Sequence, residues 1–150
     1  MAANPWDFYN EFTELSMDGT IDMDADAFRC SLYLSTSNAA TLSLSGIASL
    51  TNEHAAANGY TAGGNLLSTP TWIRSGGTTT FDSADTAWTA ASGSITARFA
   101  VIWDDTVTTP VVDPLICYTL LDNTPADVTV TDTNTLTIQM NASGIFTLST

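Results

Sequence analysis

The chain has 150 residues, of which 44% are hydrophobic and 13% charged, and its formal net charge is −13. That is the length of one ordinary domain, able to bury roughly 70% of its unfolded surface without disulfide or metal staples. Acids number 16 against three arginines (Arg29, Arg74, Arg98) and no lysine, which excludes the basic footprint that binds phosphate backbones. No nucleic acid is expected as a partner.

Hydroxyl groups take the place of charge, with 26 Thr and 14 Ser. The branched Cβ of threonine suits strands, and short side chains lose little entropy when a partner covers them. This composition predicts β-structure with neutral polar faces and acidic loops, and it favours assembly. No apolar run approaches the roughly 18 residues of a membrane-spanning helix. The amino terminus carries no positive region, so neither a membrane nor a secretory leader is expected, and synthesis is expected to leave the product in the cytoplasm.

Residues 5–16, PWDFYNEFTELS, predict a helix. Asn4 is placed to cap it, Pro5 suits its first position, and Asp7 lies favourably in its first turn. Phe8, Phe12 and Leu15 fall four and three apart, with Trp6 and Tyr9 widening the stripe. Met17-Asp18-Gly19 ends it. So short an apolar helix must dock on the domain or on another protein. The stripe Trp6, Phe8, Tyr9, Phe12 and Leu15 is therefore the candidate interface. It divides the chain into a helix and connection (residues 1–19) and a β-domain (residues 20–150).

From Thr20 the period becomes two. Ile21 and Met23 alternate with Asp22, Asp24 and Asp26 in what reads as an extended acidic segment. Phe28, Cys30, Leu32 and Leu34 share one face of a strand, with Arg29, Ser31 and Tyr33 on the other. Thr36 to Asn38 predicts a turn, after which Leu42 and Leu44 resume the alternation. Residues 51–65 read as a surface loop, with one helical turn started by Thr51 to His54. A strand at Thr71 to Arg74 reverses through Ser75-Gly76-Gly77, where glycine reaches positive φ, and Thr78 to Phe81 return. Asp82 to Asp85 turn again, and Trp88 sits where a short edge element or loop packs down.

Ser94 to Trp103 predicts the strongest strand, and Asp104 to Asp113 an acidic hairpin loop. Leu115 to Leu121, nearly all apolar, predicts a central strand. Asp122 to Pro125 predicts a turn. Val128 with Val130, Leu136 to Met140, and Ile145 to Leu148 predict three more short strands, the last two separated by a turn at Asn141 to Gly144. The expected fold is mainly β: an antiparallel β-sandwich, jelly-roll-like, behind a short amino-terminal amphipathic helix, with an up-and-down barrel as the structural alternative.

Catalytic patterns are sparse. His54 is the single histidine and stands in a polar loop without the neighbouring ligands a zinc site needs. No G-x-S-x-G elbow is present, and Cys30 and Cys117 read as buried free thiols, with a cross-strand disulfide as the alternative. Asp22, Asp24 and Asp26 match the first half of a calcium loop. Ala27 then stands where the glycine is required and Tyr33 where the bidentate glutamate belongs. Asp104-Asp105 with Asp113 could do acid–base work, but such pairs usually sit at loop mouths. Gly63-Gly64 and Gly76-Gly77 lack the residues of a phosphate loop. The Asn141-Ala-Ser143 sequon is a chance match in so hydroxyl-rich a chain. Trp6, Trp72, Trp88 and Trp103 read as core or contact residues. No catalytic residue, cofactor or metal ligand is expected, and the chain is not expected to be an enzyme.

Several segments together resemble a family of small virion-associated structural proteins of tailed bacteriophages. They are Trp6 to Phe12, Leu34 to Asn38, Leu50 to Glu53, Asn58-Gly-Tyr-Thr-Ala-Gly-Gly64, Arg74 to Gly77, Trp88 to Arg98, Val101 to Asp105, Asp113 to Leu115, and Asn141 to Phe146. The resemblance runs from Trp6 to the carboxyl terminus. The chain departs from the pattern in having no surface lysine.

What the resemblance implies is a component of the particle, made in the bacterial host cytoplasm and placed on the exterior of the head or tail. It is expected to be a capsid decoration (cement) protein outside the head shell, with a tail or baseplate adaptor as the alternative. The expected partners are further copies of the chain, a trimer being preferred for three-fold lattice positions, and the major capsid protein or tail components. The charge of −13 keeps such copies apart in solution. Contacts without lysine should weaken only mildly with salt. Removing residues 1–16, or replacing Phe8 and Phe12 by alanine, is expected to reduce assembly and leave the β-domain folded.

Overall fold

A computed structural model describes residues 5–122 and 127–150. Asn4 as a helix cap and the Asn123 to Pro125 part of the predicted turn lie outside the described residues.

The amino-terminal segment is half strand and half helix. Strand β1 (Asp7–Phe8) precedes helix α1 (Asn10–Met17), with Tyr9 at the helix start. The predicted helix over 5–16 thus begins five residues late. Backbone pairing is the reason: Asp7 and Phe8 lie opposite Tyr118 and Cys117, and the Tyr9 N–H donates to the Ile116 carbonyl at 3.1 Å. Extended geometry sends Phe8 to one face of the sheet and Tyr9 to the other. Phe8 and Phe12 still stack, at 5.4 Å between ring centroids, but across a strand-to-helix junction. As predicted, α1 ends at Asp18, and Gly19 follows at φ +82°.

The remaining strands are β2 (Phe28–Tyr33), β3 (Asn65–Leu66), β4 (Thr71–Ser75), β5 (Thr78–Asp82), β6 (Thr86–Thr89), β7 (Ile95–Ala97), β8 (Phe99–Asp104), β9 (Leu115–Leu120), β10 (Val128–Val130), β11 (Thr135–Ile138) and β12 (Phe146–Ser149). Every strand pair is antiparallel. The largest sheet has the order β1-β9-β8-β2-β3, and a second has the order β12-β5-β4. Strands β7 with β10, and β6 with β11, form two-stranded ribbons. The mainly β class and the hairpin at Gly76-Gly77 agree with the sequence.

Three expectations change. The run from Ser94 to Trp103 is not one strand. It breaks at Arg98, so that Ile95 and Ala97 belong to the ribbon with β10 while Phe99 to Asp104 enter the large sheet. The break shifts the phase by one residue: Ala97, Ala100 and Ile102 face one core, and Phe99, Val101 and Trp103 face another. Leu42 and Leu44 lie in turns rather than a strand. The acidic segment 22–26 is a turn, in which the Asp22 carbonyl accepts the N–H groups of Ala25 and Asp26 at 3.2 and 2.9 Å.

The large sheet is covered on both faces. On one, Phe28, Cys30, Leu32, Ile102 and Cys117 pack with Phe12 and Leu15 of α1 and with Phe81, Trp88, Ile95, Leu136 and Phe146 of the smaller sheets. On the other, Tyr9, Tyr33, Val101, Trp103 and Leu115 lie beneath Ala39, Leu44, Ile47 and Leu50 of the 34–50 loop. Two buried donors fix that second layer: the Tyr9 hydroxyl donates to the Ala39 carbonyl at 2.6 Å, and the Trp103 indole to the Ser31 hydroxyl at 3.1 Å. Far-ultraviolet circular dichroism should accordingly be dominated by β-structure. A helix content near the ordinary globular level of about a third would contradict it.

Candidate functional site

The predicted interface stripe is largely inside the molecule. Tyr9, Phe12 and Leu15 are buried in the chain's own cores, and Trp6 and Phe8 are half-buried against them. Phe8, Phe12 and Phe146 form one aromatic knot, with Phe8 meeting Phe146 edge to face at 4.8 Å and Phe12 meeting it at 5.7 Å. The helix docks on the β-domain, one of the two outcomes its composition allowed. Met17, at the end of the helix, is 84% exposed. It lines an open groove of about 290 Å³ with Trp72 and Leu148. A larger cleft of about 420 Å³ lies beside Trp6, Met140 and Ile145.

The single histidine is not a solvated loop residue. Residues 52–54 lie beside β2, with Glu53 opposite Tyr33, the Leu34 N–H donating to the Asn52 carbonyl at 3.0 Å and the His54 N–H to the Leu32 carbonyl at 2.8 Å. That pairing replaces the expected helical turn. It sets the imidazole edge-on to Tyr60 at 5.2 Å, with Nε2 shielded from solvent. Burial lowers the His54 pKa, and the neighbouring Glu53 carboxylate partly opposes the shift.

Glu53 organises this corner. Its Oε1 accepts the Tyr60 hydroxyl at 2.7 Å and the Gly63 N–H at 2.6 Å, and the Tyr60 oxygen in turn accepts the Leu32 N–H at 2.9 Å. Burial pushes the Tyr60 phenol far above its ordinary value, so Tyr60 serves as a neutral bridge rather than an acid. The sequence signal for this corner was the Asn58 to Gly64 segment, whose glycines read as loop residues only.

Neither thiol is poised for chemistry. Cys30 and Cys117 both pair with Ile102, from opposite sides, which places them two strand spacings (about 9–10 Å) apart. A disulfide needs less than about 7 Å between Cα atoms, so the free-thiol reading holds. Burial raises the Cys30 pKa to about 12 and that of Cys117 well above the ordinary range, and a thiol held in that form is a poor nucleophile.

The acidic triad is dispersed. Asp22 Oδ1 accepts the Asp24 N–H at 3.0 Å, and Asp26 Oδ2 accepts the Asp22 N–H at 2.7 Å. Among the described residues, no three His, Cys, Asp or Glu side chains converge as metal ligands. Calorimetric titration with calcium should show no tight one-to-one isotherm. Of the acidic pair at the end of β8, Asp105 bonds Arg29 at 2.7 Å while Asp104 turns inward and is fully buried. Asp113 has its pKa raised by burial and by Asp105.

No protein-family model, curated protein or solved structure matches the chain.

Proposed function

We propose that the chain is a structural component of a tailed-bacteriophage particle: a capsid decoration protein that binds the outside of the head shell as a trimer. In this reading the layered sheets close as a jelly-roll-like sandwich, and the protein acts by contact rather than turnover.

The observation that carries it concerns the segments resembling the phage family. Glu53, Tyr60, Gly63 and Gly64 bond to one another or pack on β2, and Trp88 and Ile95 lie in the core. These residues are occupied in building the fold, which is what a scaffold shared by contact proteins requires. The exposed strands carry cross-strand hydroxyl pairs instead: Thr89 with Thr135 at 2.8 Å, Thr96 with Thr129 at 3.0 Å, and Thr78 with Ser149 at 3.2 Å. Such surfaces are neutral and lose little side-chain entropy on contact. The amino-terminal segment can contribute through Trp6 and Phe8, which keep part of their surface.

Cryo-electron microscopy of the intact particle tests the proposal. Density for this chain at three-fold positions outside the shell supports it. Density confined to the tail or baseplate would replace it with the adaptor role, and a chain absent from the particle would overturn both.

A further inference from the structure

The 22–26 turn meets the end of β8 at a junction built from backbone bonds. Phe28 lies opposite Asp104, the Asp105 N–H donates to the Ala27 carbonyl at 2.8 Å, and the Ala27 N–H donates to the Thr106 hydroxyl at 2.8 Å. Asp104 is fully buried within this junction. Its Oδ1 accepts the N–H groups of Thr106 and Val107 at 2.7 and 3.1 Å, while its Oδ2 is shielded from solvent and receives no N–H. The titratable group facing it is the carboxyl of Asp26.

Among the described residues, no ion pair joins a side-chain cation to either carboxyl. Arg29 gives its Nε to Asp105 and its Nη1 to the Gly64 carbonyl, and the chain has no lysine. The other acids at the junction are Asp22, whose N–H is held by Asp26, and Asp113, which feels Asp105. Two facing carboxylates, one of them cut off from water, cannot both ionise without a large penalty. We propose that Asp104 keeps a proton on its buried Oδ2 and donates it to the Asp26 carboxyl, and that this O–H···O bridge is a pH-sensitive clasp holding the 22–26 turn against β8.

Burial is the largest cause of the raised Asp104 pKa, about 6, against which the two N–H donors pull down and Asp26 pushes up. The unfolded value is near 4, so the folded chain holds the extra proton between these limits. The clasp's contribution is complete below the unfolded value and is lost as pH rises through about 6.

Carbon-13 NMR titration of the aspartate carboxyls, paired with amide exchange across residues 22–26, tests this on the intact protein. In the wild type, Asp104 should titrate near 6. Above that midpoint the amides of Asp22 and Asp26 should exchange several-fold faster than base catalysis alone predicts. Asp26→Asn supplies a permanent donor, so the Asp104 midpoint should fall toward the ordinary carboxylate range. Asp104→Asn should keep the turn protected across the whole range. An ordinary Asp104 midpoint in the wild type, or one unmoved by Asp26→Asn, overturns the proposal. Protection restored above the midpoint by millimolar calcium chloride, in the wild type and not in Asp104→Asn, would overturn it in favour of a shared cation.

Discussion

Replacing Gly64 by alanine is expected to destabilise the protein by more than about 3 kcal/mol, among the largest effects of any single methyl group. Gly64 has φ +71°, and a Cβ built there would stand 1.9 Å from the Cys30 carbonyl oxygen and 2.6 Å from the Ser31 Cα. Those atoms belong to the backbone of β2 within the large sheet, so neither side can yield cheaply. The left-handed conformation alone costs alanine about 1–2 kcal/mol; the remainder is the separation of β3 from β2. Gly76→Ala supplies the control. Gly76 has φ +62° in the β4–β5 turn with nothing within 4 Å of its Cβ position, so only the conformational cost of about 1 kcal/mol should appear. Urea denaturation of both variants measures the difference. Equal losses would mean that the 63–66 segment does not lie against β2.

This close approach shows where the sequence stops being legible. Gly63-Gly64 announces a turn, and nothing in the local pattern says that the turn is pressed onto a strand 34 residues earlier. Strands whose alternation is set by burial on one side were readable: Phe28 to Tyr33, the β4–β5 hairpin, and the short strands after residue 127. The run around Arg98 was misread because an alternating pattern continued across the break while the chain changed sheets. Alternation survived within each strand, but its phase and its destination changed at the break.

The acidic segment failed differently. Asp22 and Asp26 act as local acceptors for turn N–H groups, a competition that short acidic side chains win over extended structure. The inward turn of Asp104 had no signal at all, because Asp104 and Asp105 are chemically identical neighbours. Only the strand register decides that one is buried and the other pairs with Arg29.

The paired substitution Phe8→Ala with Phe12→Ala is expected to unfold the protein or bring it close to unfolding, which reverses the expectation from sequence. Read as an exposed helix face, these rings could be removed with the β-domain left standing. In the structure Phe12 is 3% exposed and touches both Phe8 and Phe146, while Phe146 is also in contact with Phe81 and Trp72. Truncating a buried phenylalanine to alanine costs about 3–5 kcal/mol. Phe8 is half-buried and should cost less, and the two losses will not add simply because the rings touch. The combined loss still approaches the 5–15 kcal/mol that holds a typical domain together. Chemical denaturation of the double variant should therefore show a greatly lowered midpoint or no folded baseline. Any loss of oligomerisation or particle binding in that variant then reports collapse of the core and says nothing about an interface. Trp6→Ala separates the two, because Trp6 is half-buried at the edge of the core and lies outside the Phe8–Phe12–Phe146 knot. If the double variant instead keeps its midpoint and its cooperative transition, the aromatic knot is not part of the core, and the stripe returns to being a surface in need of a partner.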